Sequence, residues 1–318
     1  MATTIRRSSS SFGGFEDGVI VKGVPIISIT GGSVFWVDSN GGGGSKGTFA
    51  HPCLTLAAAM GLCVADRGDT IMIKANHSET VTGAGGITLA KNDVSIHGLG
   101  NYTARPTFLM DGDAITGLVT GNSITVTNCI FKAGHADIAC AFLVSGTGFT
   151  MDSCAFTENV ATENFVAVLN AGVADNDYDG LVFSNNILDF TTAEVAVLQP
   201  IECLKSSKDV SIVGNEICGD FDTTAYAQIY SVNTLHHMNC EIAYNLIHNQ
   251  HDANAAISIS FGSTTSTGWI HHNLISASES SGSTPIVSGA GGMKCFENYY
   301  CGDDSVSAYI YPAIGTDA

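Results

Sequence analysis

The feature that most constrains the fold is an internal repeat. Seven segments share one pattern: ITVTNCIF, FTMDSCAF, LVFSNNIL, VSIVGNEIC, EIAYNLIH, GWIHHNLIS and KCFENYYC. Each is a short alternating strand, then a turn residue, then mostly apolar or small positions. Taking Asn128, Ser153, Asn185, Asn215, Asn245, Asn273 and Asn298 as markers, the successive separations are 25, 32, 30, 30, 28 and 25 residues. A second strand-like run lies between markers, as in DIACAFLV, NFVAVLN and AAISISF. Two or three short strands per period of this length are the signature of a right-handed parallel β-helix. Leucine-rich repeats need a helical segment in every period, and propeller blades need longer periods built from antiparallel hairpins.

Stacked turns repeat at about 4.8 Å, so eight or nine coils make a rod of about 40 Å. Asparagine tolerates the left-handed backbone of a sharp corner. Its amide also bonds to the same residue one turn away, as in other stacked ladders. The expected structural ladder is therefore Asn128, Asn185, Asn215, Asn245, Asn273 and Asn298. Ile130, Phe156, Ile187, Ile217, Ile247 and Ile275 are expected to stack inside, with alternate residues facing solvent.

Composition agrees with an all-β rod. Of 318 residues only 13% are charged and 36 are glycine. That excludes disorder, which needs low hydrophobicity and high charge, and a helical bundle, which needs Ala, Glu, Lys, Leu and Arg in periodic array. Twelve Lys and Arg face thirty Asp and Glu, net −18, with Arg6-Arg7 the single adjacent basic pair, so no nucleic-acid partner is expected. No run reaches the 18 apolar residues of a membrane span, and no targeting segment is expected. None of the ten cysteines forms CxxC, so they read as small buried hydrophobes made in a reducing cytosol, with no metal site expected.

The chain divides into four parts. Residues 1–32 lie outside the repeat and read as an anchoring arm. Residues 33–66 hold a strand, a glycine-rich loop and a helix over 51–65 that caps the open end of the rod. Residues 67–302 form the parallel β-helix, and 303–318 a C-terminal strand or tail.

The block VFWVDSNGGGGSKGTFAHPCLTLAAAM, followed by GDTIMIKANHSETV, resembles the opening of right-handed β-helix proteins of the pectate-lyase-like superfamily. It is especially similar to versions among tailed-bacteriophage virion proteins, and the resemblance covers residues 33–302. Such folds carry lyases, hydrolases, tail spikes and non-enzymatic structural proteins alike. The resemblance implies a virion protein assembled in the host cytoplasm, without cofactor and homotrimeric. Its expected role is a cement or decoration protein that grips the major capsid protein or another virion protein on the outer head shell. The gripping arm would use Arg6, Arg7, Phe12 and Phe15.

The alternative is a tail spike or fibre component that binds or cuts a host surface glycan. A lyase of the resembled kind needs an arginine base and calcium-holding carboxylates, yet the arginines are Arg6, Arg7, Arg67 and Arg105, with none in the later coils. A glycoside hydrolase needs two carboxylates about 5–10 Å apart. Asp220 and Asp222, partnered by Glu194 or Glu202, are the candidates. Asp175, Asp177 and Asp179 read as turn residues. His236-His237 and His271-His272 are adjacent pairs, expected to point to opposite faces of their strands. His77-Ser78-Glu79 assembles no triad.

Overall fold

The computed structural model describes residues 32–41, 46–82, 86–112, 116–191, 199–221, 227–232, 234–250, 257–277, 286–288 and 292–301, with three further short strands. Two of these, Val19–Val21 and Val24–Ile26, pair antiparallel within the N-terminal region. Arg6, Arg7, Phe12 and Phe15, the expected arm contacts, lie outside the described residues.

The repeat closes as a right-handed parallel β-solenoid. Three sheets run along it, ten, ten and eight strands deep. Seven full windings therefore separate the first and last strands of the third sheet, a stack of eight three-stranded rungs. One rung shows the plan. Thr125–Thr127 lies in sheet one, Ile130–Ala133 in sheet two and Phe142–Val144 in sheet three. Each pairs in parallel with its counterpart one turn on: Thr150–Asp152, Ala155–Glu158 and Leu169–Ala171.

The alternating pattern fills the interior. In sheet one the inward row runs Ile71, Ile96, Val126, Met151, Phe183, Ile212, Ile242 and Ile270, all buried. In sheet two, Phe108, Phe131 and Phe156 stack ring on ring with centroids 5.4 and 5.3 Å apart. Phe142 of sheet three meets Phe131 edge-on at 4.8 Å. Offset and edge-on aromatic pairs add about 1 kcal/mol each beyond the area they bury.

The ladder is real but sits one residue beyond the expected markers in the early turns. It consists of Asn186, Asn215, Asn245, Asn273 and Asn298, all buried. The Asn215 amide donates to Asn245 Oδ1 at 3.0 Å, that of Asn245 to Asn273 Oδ1 at 2.9 Å, and that of Asn273 to Asn298 Oδ1 at 2.8 Å. Each of these oxygens also accepts the backbone N–H of the residue one turn before. Asn128 and Asn185, expected in the ladder, are instead the left-handed corner residues, with φ of 57° and 53°. Their ladder-position neighbours are Cys129 and Asn186; Cys154, also at this position, donates its N–H to Asn186 Oδ1 at 2.9 Å.

That one-residue offset has the consequence the two-residue side-chain period dictates. Ile130 is half-buried and Ile187 exposed on the outer face, whereas Phe131 and Leu188 point inward. Phe156, Ile217, Ile247 and Ile275 lie inside as expected.

The helix is shorter than 51–65. It spans Leu56–Leu62, because Cys53 is still extended and bridges Val37, and Thr55 then caps the first turn through its side-chain oxygen and the Ala58 N–H. Leu56, Ala59 and Met60 face the first rung. Asp69 locks this end. Its carboxylate accepts the N–H of Ser33 and Val64 and a two-pronged bond from Arg67 at 2.7 Å. Burial disfavours its charge, but these bonds outweigh burial and hold its carboxyl below the ordinary range. Asp69→Asn removes the charge and one acceptor oxygen. We expect a loss of about 2–3 kcal/mol at neutral pH, read by urea unfolding. Equal midpoints for the two proteins would contradict this anchoring role.

At the other end, Ser307–Ile310 runs antiparallel to Asn298–Cys301 and closes sheet two. A strand of reversed direction ends the parallel winding and covers an edge open to aggregation.

Candidate functional site

The structure describes two of the four candidate carboxylates. Glu202 projects outward from Ile201–Cys203 in sheet three, and Asp220 follows Glu216–Gly219 of sheet two. Both are half-buried, on different sheets; Glu194 and Asp222 lie outside the described residues. Burial raises the Glu202 carboxyl above its ordinary value. It stands in register between Asn170 and Tyr230. Two residues along the same outer face, Gln228 and Ser258 are buried and paired in register. Among the described residues, neither amide atom of Gln228, nor the Ser258 hydroxyl, nor Asn170 Oδ1 has a hydrogen-bond partner.

Other groups that invite a catalytic reading hold the fold. His77 Nδ1 accepts the Ser39 N–H at 2.9 Å, which leaves the hydrogen on Nε2, 3.2 Å from Glu79 Oε2. The same Glu79 oxygen accepts the Leu56 N–H at the helix start. In the ADNDYDG loop, Asp175, Asp177 and Asp179 accept backbone N–H groups of Ser206, Ala174 and Lys208. Cys53, Cys63, Cys129, Cys140, Cys154, Cys203 and Cys240 are free and buried, with burial raising each thiol above its ordinary value. A cleft of about 340 Å³ on the outside of sheet two places Arg105 and Lys132 among Asn76, Thr107 and Asn159. Among the described residues no three His, Cys, Asp or Glu side chains converge as metal ligands.

His236 and His237 face opposite ways, as strand alternation requires: His236 is exposed and His237 buried. His237 lies between the hydroxyls of Ser207 and Ser231, at 3.1 and 2.6 Å, with its ring 4.5 Å from that of Phe261. Burial, with His236 beside it, depresses its pKa to about 4. The unfolded chain therefore binds a proton between pH 6.5 and 4 that the folded chain refuses. Stability from this group is complete above pH 7 and falls as pH drops through that window, by about 2–3 kcal/mol at pH 4.5. Urea midpoints for the parent and His237→Gln should converge on acidification. Parallel pH curves would show that His237 does not set the slope.

His271 and His272 break the alternation. His272 occupies the left-handed corner at φ 53°, so both rings turn to the same side. Their Nδ1 atoms are 2.8 Å apart. His271 Nε2 lies 3.1 Å from Glu241, and His272 Nε2 lies 2.7 Å from Glu297. Phe296 stacks on His271 at 4.8 Å and Tyr244 on His272 at 4.9 Å. Leu246, Leu274 and Trp269 stand exposed on either side. The sequence showed these aromatics and histidines but not their assembly, because the corner conformation brings them together.

No protein-family model matches the chain, and no curated protein matches it. Among solved structures it is similar to a rhamnogalacturonan lyase, at 14% identity and a TM-score of 0.41, covering 84% of this chain and 87% of that one. It is also similar to the GH136 lacto-N-biosidase from Eubacterium ramulus, as selenomethionine derivative and native protein. Those matches have 12% and 11% identity and TM-scores of 0.23 and 0.24, covering 84% of this chain and 67% and 68% of those. Likeness at this level carries no argument about activity; the parallel winding rests on the strand pairing of the chain itself.

Proposed function

We propose that the chain is a non-enzymatic structural rod of a tailed-phage particle, a cement protein that holds to the outer head shell through residues 1–32. The observation that carries this reading is mechanical. Five consecutive ladder asparagines and a stack of phenylalanines fill the interior and tie each turn to the next. A solenoid distributes its stability over nearest-neighbour contacts, and the ladder adds buried hydrogen bonds to each of them. The resemblance of residues 33–302 to virion β-helices gives the setting. Particles lacking the protein should release their DNA at lower temperature and under milder osmotic shock than complete ones. Equal resistance, or absence of the protein from purified particles, overturns the reading.

One observation favours a second reading, a glycan-cleaving or glycan-binding face. The outer side of sheet three sets Glu202, with its raised pKa, beside Asn170 and near Gln228, whose side-chain amide atoms have no partner among the described residues. Incubation with host surface glycans, assayed for reducing ends and unsaturated sugars, decides it. Turnover abolished by Glu202→Gln establishes this reading. No turnover and no glycan retention by the parent protein removes it.

A further inference from the structure

One corner of the winding departs from the repeat. The chain crosses from sheet one to sheet two in two residues between Thr127 and Ile130, and again at the five corners that follow. Between Gly98 and Thr107 it takes eight. The excess holds a single 3₁₀ turn, Tyr102–Ala104, with Tyr102 88% exposed. This insert is pinned. Ala104 O accepts the Asn76 N–H at 2.7 Å, and the Arg105 guanidinium donates to Tyr102 O and Ser153 O, both at 3.2 Å.

The insert and the outer face of sheet two bound the cleft of about 340 Å³, with Arg105 on the insert and Lys132 on the sheet. Two of the twelve Lys and Arg of the chain therefore share one recess. Among the described residues neither forms an ion pair, whereas Arg67, Lys74 and Lys208 each have a carboxylate. No carboxylate of the described residues lines the cleft; Glu163, which accepts from Asn159 at 3.2 Å, lies outside the lining. His77 lines it, but both ring nitrogens already face Ser39 and Glu79. Arg105 has a structural duty in holding the insert. Lys132 has none: its neighbours in register are Leu109 and Thr157, and its ammonium bonds to no described residue. The side chains of Asn76, Ser78 and Thr103, in the same walls, also bond to no described residue.

We propose that this cleft binds a small phosphomonoester through Arg105 and Lys132. The count of charges and donors selects the ligand. A phosphomonoester carries nearly two negative charges and three acceptor oxygens, and two cations without a carboxylate match it. A carboxylate brings one charge and two oxygens, which leaves one cation unmatched. The guanidinium offers the N–H groups that the two carbonyls do not use, and lysine adds a mobile point charge. The amide and hydroxyls of Asn76, Ser78 and Thr103 supply neutral donors. The recess is larger than one phosphate group and leaves room for the esterified part. The net −18 of the chain repels anions at long range, so recognition rests on these close contacts. The inference depends on neither reading of the role of the rod.

Calorimetric titration of the full chain at low salt should show one site for glycerol 3-phosphate and for inorganic phosphate, and none for glycerol. Lys132→Gln should weaken both phosphates about tenfold or more, Lys132→Arg should keep most of the affinity, and Lys294→Gln, exposed in the last rung, should change nothing. Far-UV circular dichroism identifies a variant that misfolds. A second measurement needs no variant: on the parent protein, glycerol 3-phosphate should slow acetylation of Lys132, mapped by mass spectrometry, and leave that of Lys294 unchanged. Absence of phosphate binding, equal affinity of the parent and folded Lys132→Gln, or unprotected Lys132 at saturating ligand overturns the proposal. So does galacturonate binding as tightly as glycerol 3-phosphate, which would make the cleft a carboxylate site, or binding of inorganic phosphate alone, which would exclude an ester.

Discussion

Asn245→Ala is expected to lower folding stability by about 3–5 kcal/mol, a large effect for one exchange of a polar residue. The Asn245 amide donates to Ile212 O and to Asn273 Oδ1, both at 2.9 Å, and its Oδ1 accepts the backbone N–H and the amide of Asn215, both at 3.0 Å. Alanine leaves the Asn215 N–H and the Ile212 carbonyl buried without these partners. Each unmet buried group costs about 1–3 kcal/mol, and the vacated space adds to the loss. Asn185 has the opposite fate. Its exposed corner amide reaches Asp152 Oδ1 at 2.8 Å, and Asn185→Ala should cost only about 1–2 kcal/mol, chiefly from alanine in a left-handed conformation. Urea unfolding of both variants reads the contrast. Equal losses would place the ladder in the wrong register.

Phe131→Ala should cost about 4 kcal/mol. Its ring has Phe108 on one side, Phe156 on the other and Phe142 edge-on. The turns above and below are held at fixed spacing by their backbone bonds, so the walls cannot collapse into the gap. Phe131→Leu should recover about half the loss by refilling volume without the ring contacts. Calorimetry of the two variants separates the effects. A loss below about 1 kcal/mol for alanine would mean that the aromatic column is not continuous.

The parallel winding was legible because alternation and period together leave little else for such a chain to form. The register was legible only in part. From Gly214 onward the corner residue is glycine, tyrosine, histidine or glutamate, so the asparagine that follows is unambiguous. In the earlier turns Asn128 and Asn185 occupy the corner themselves, and Asn185-Asn186 offers two asparagines for one place. The inward residues resolve the ambiguity: aligning Phe131, Phe156 and Leu188 with Ile217, Ile247 and Ile275 moves the marker to Cys129, Cys154 and Asn186.

The candidate surface was less legible. A two-residue period says which side chains face out, but not which of them meet across a corner. Hence His271 and His272 read as opposed when they are joined, and the period does not show that Tyr244 and Phe296 both pack on His271. Glu202 could be named as a carboxylate, while its desolvation depends on neighbours about thirty residues away in sequence.

The buried ladder linking successive turns is tested most directly by a double-mutant cycle on Asn215 and Asn245. Unfolding free energies of Asn215→Ala, Asn245→Ala and the double variant should reveal a coupling of at least about 1 kcal/mol, since each single change already deprives the partner amide. Strictly additive losses would mean that the two side chains do not touch, and a stack of turns joined in this register could not stand.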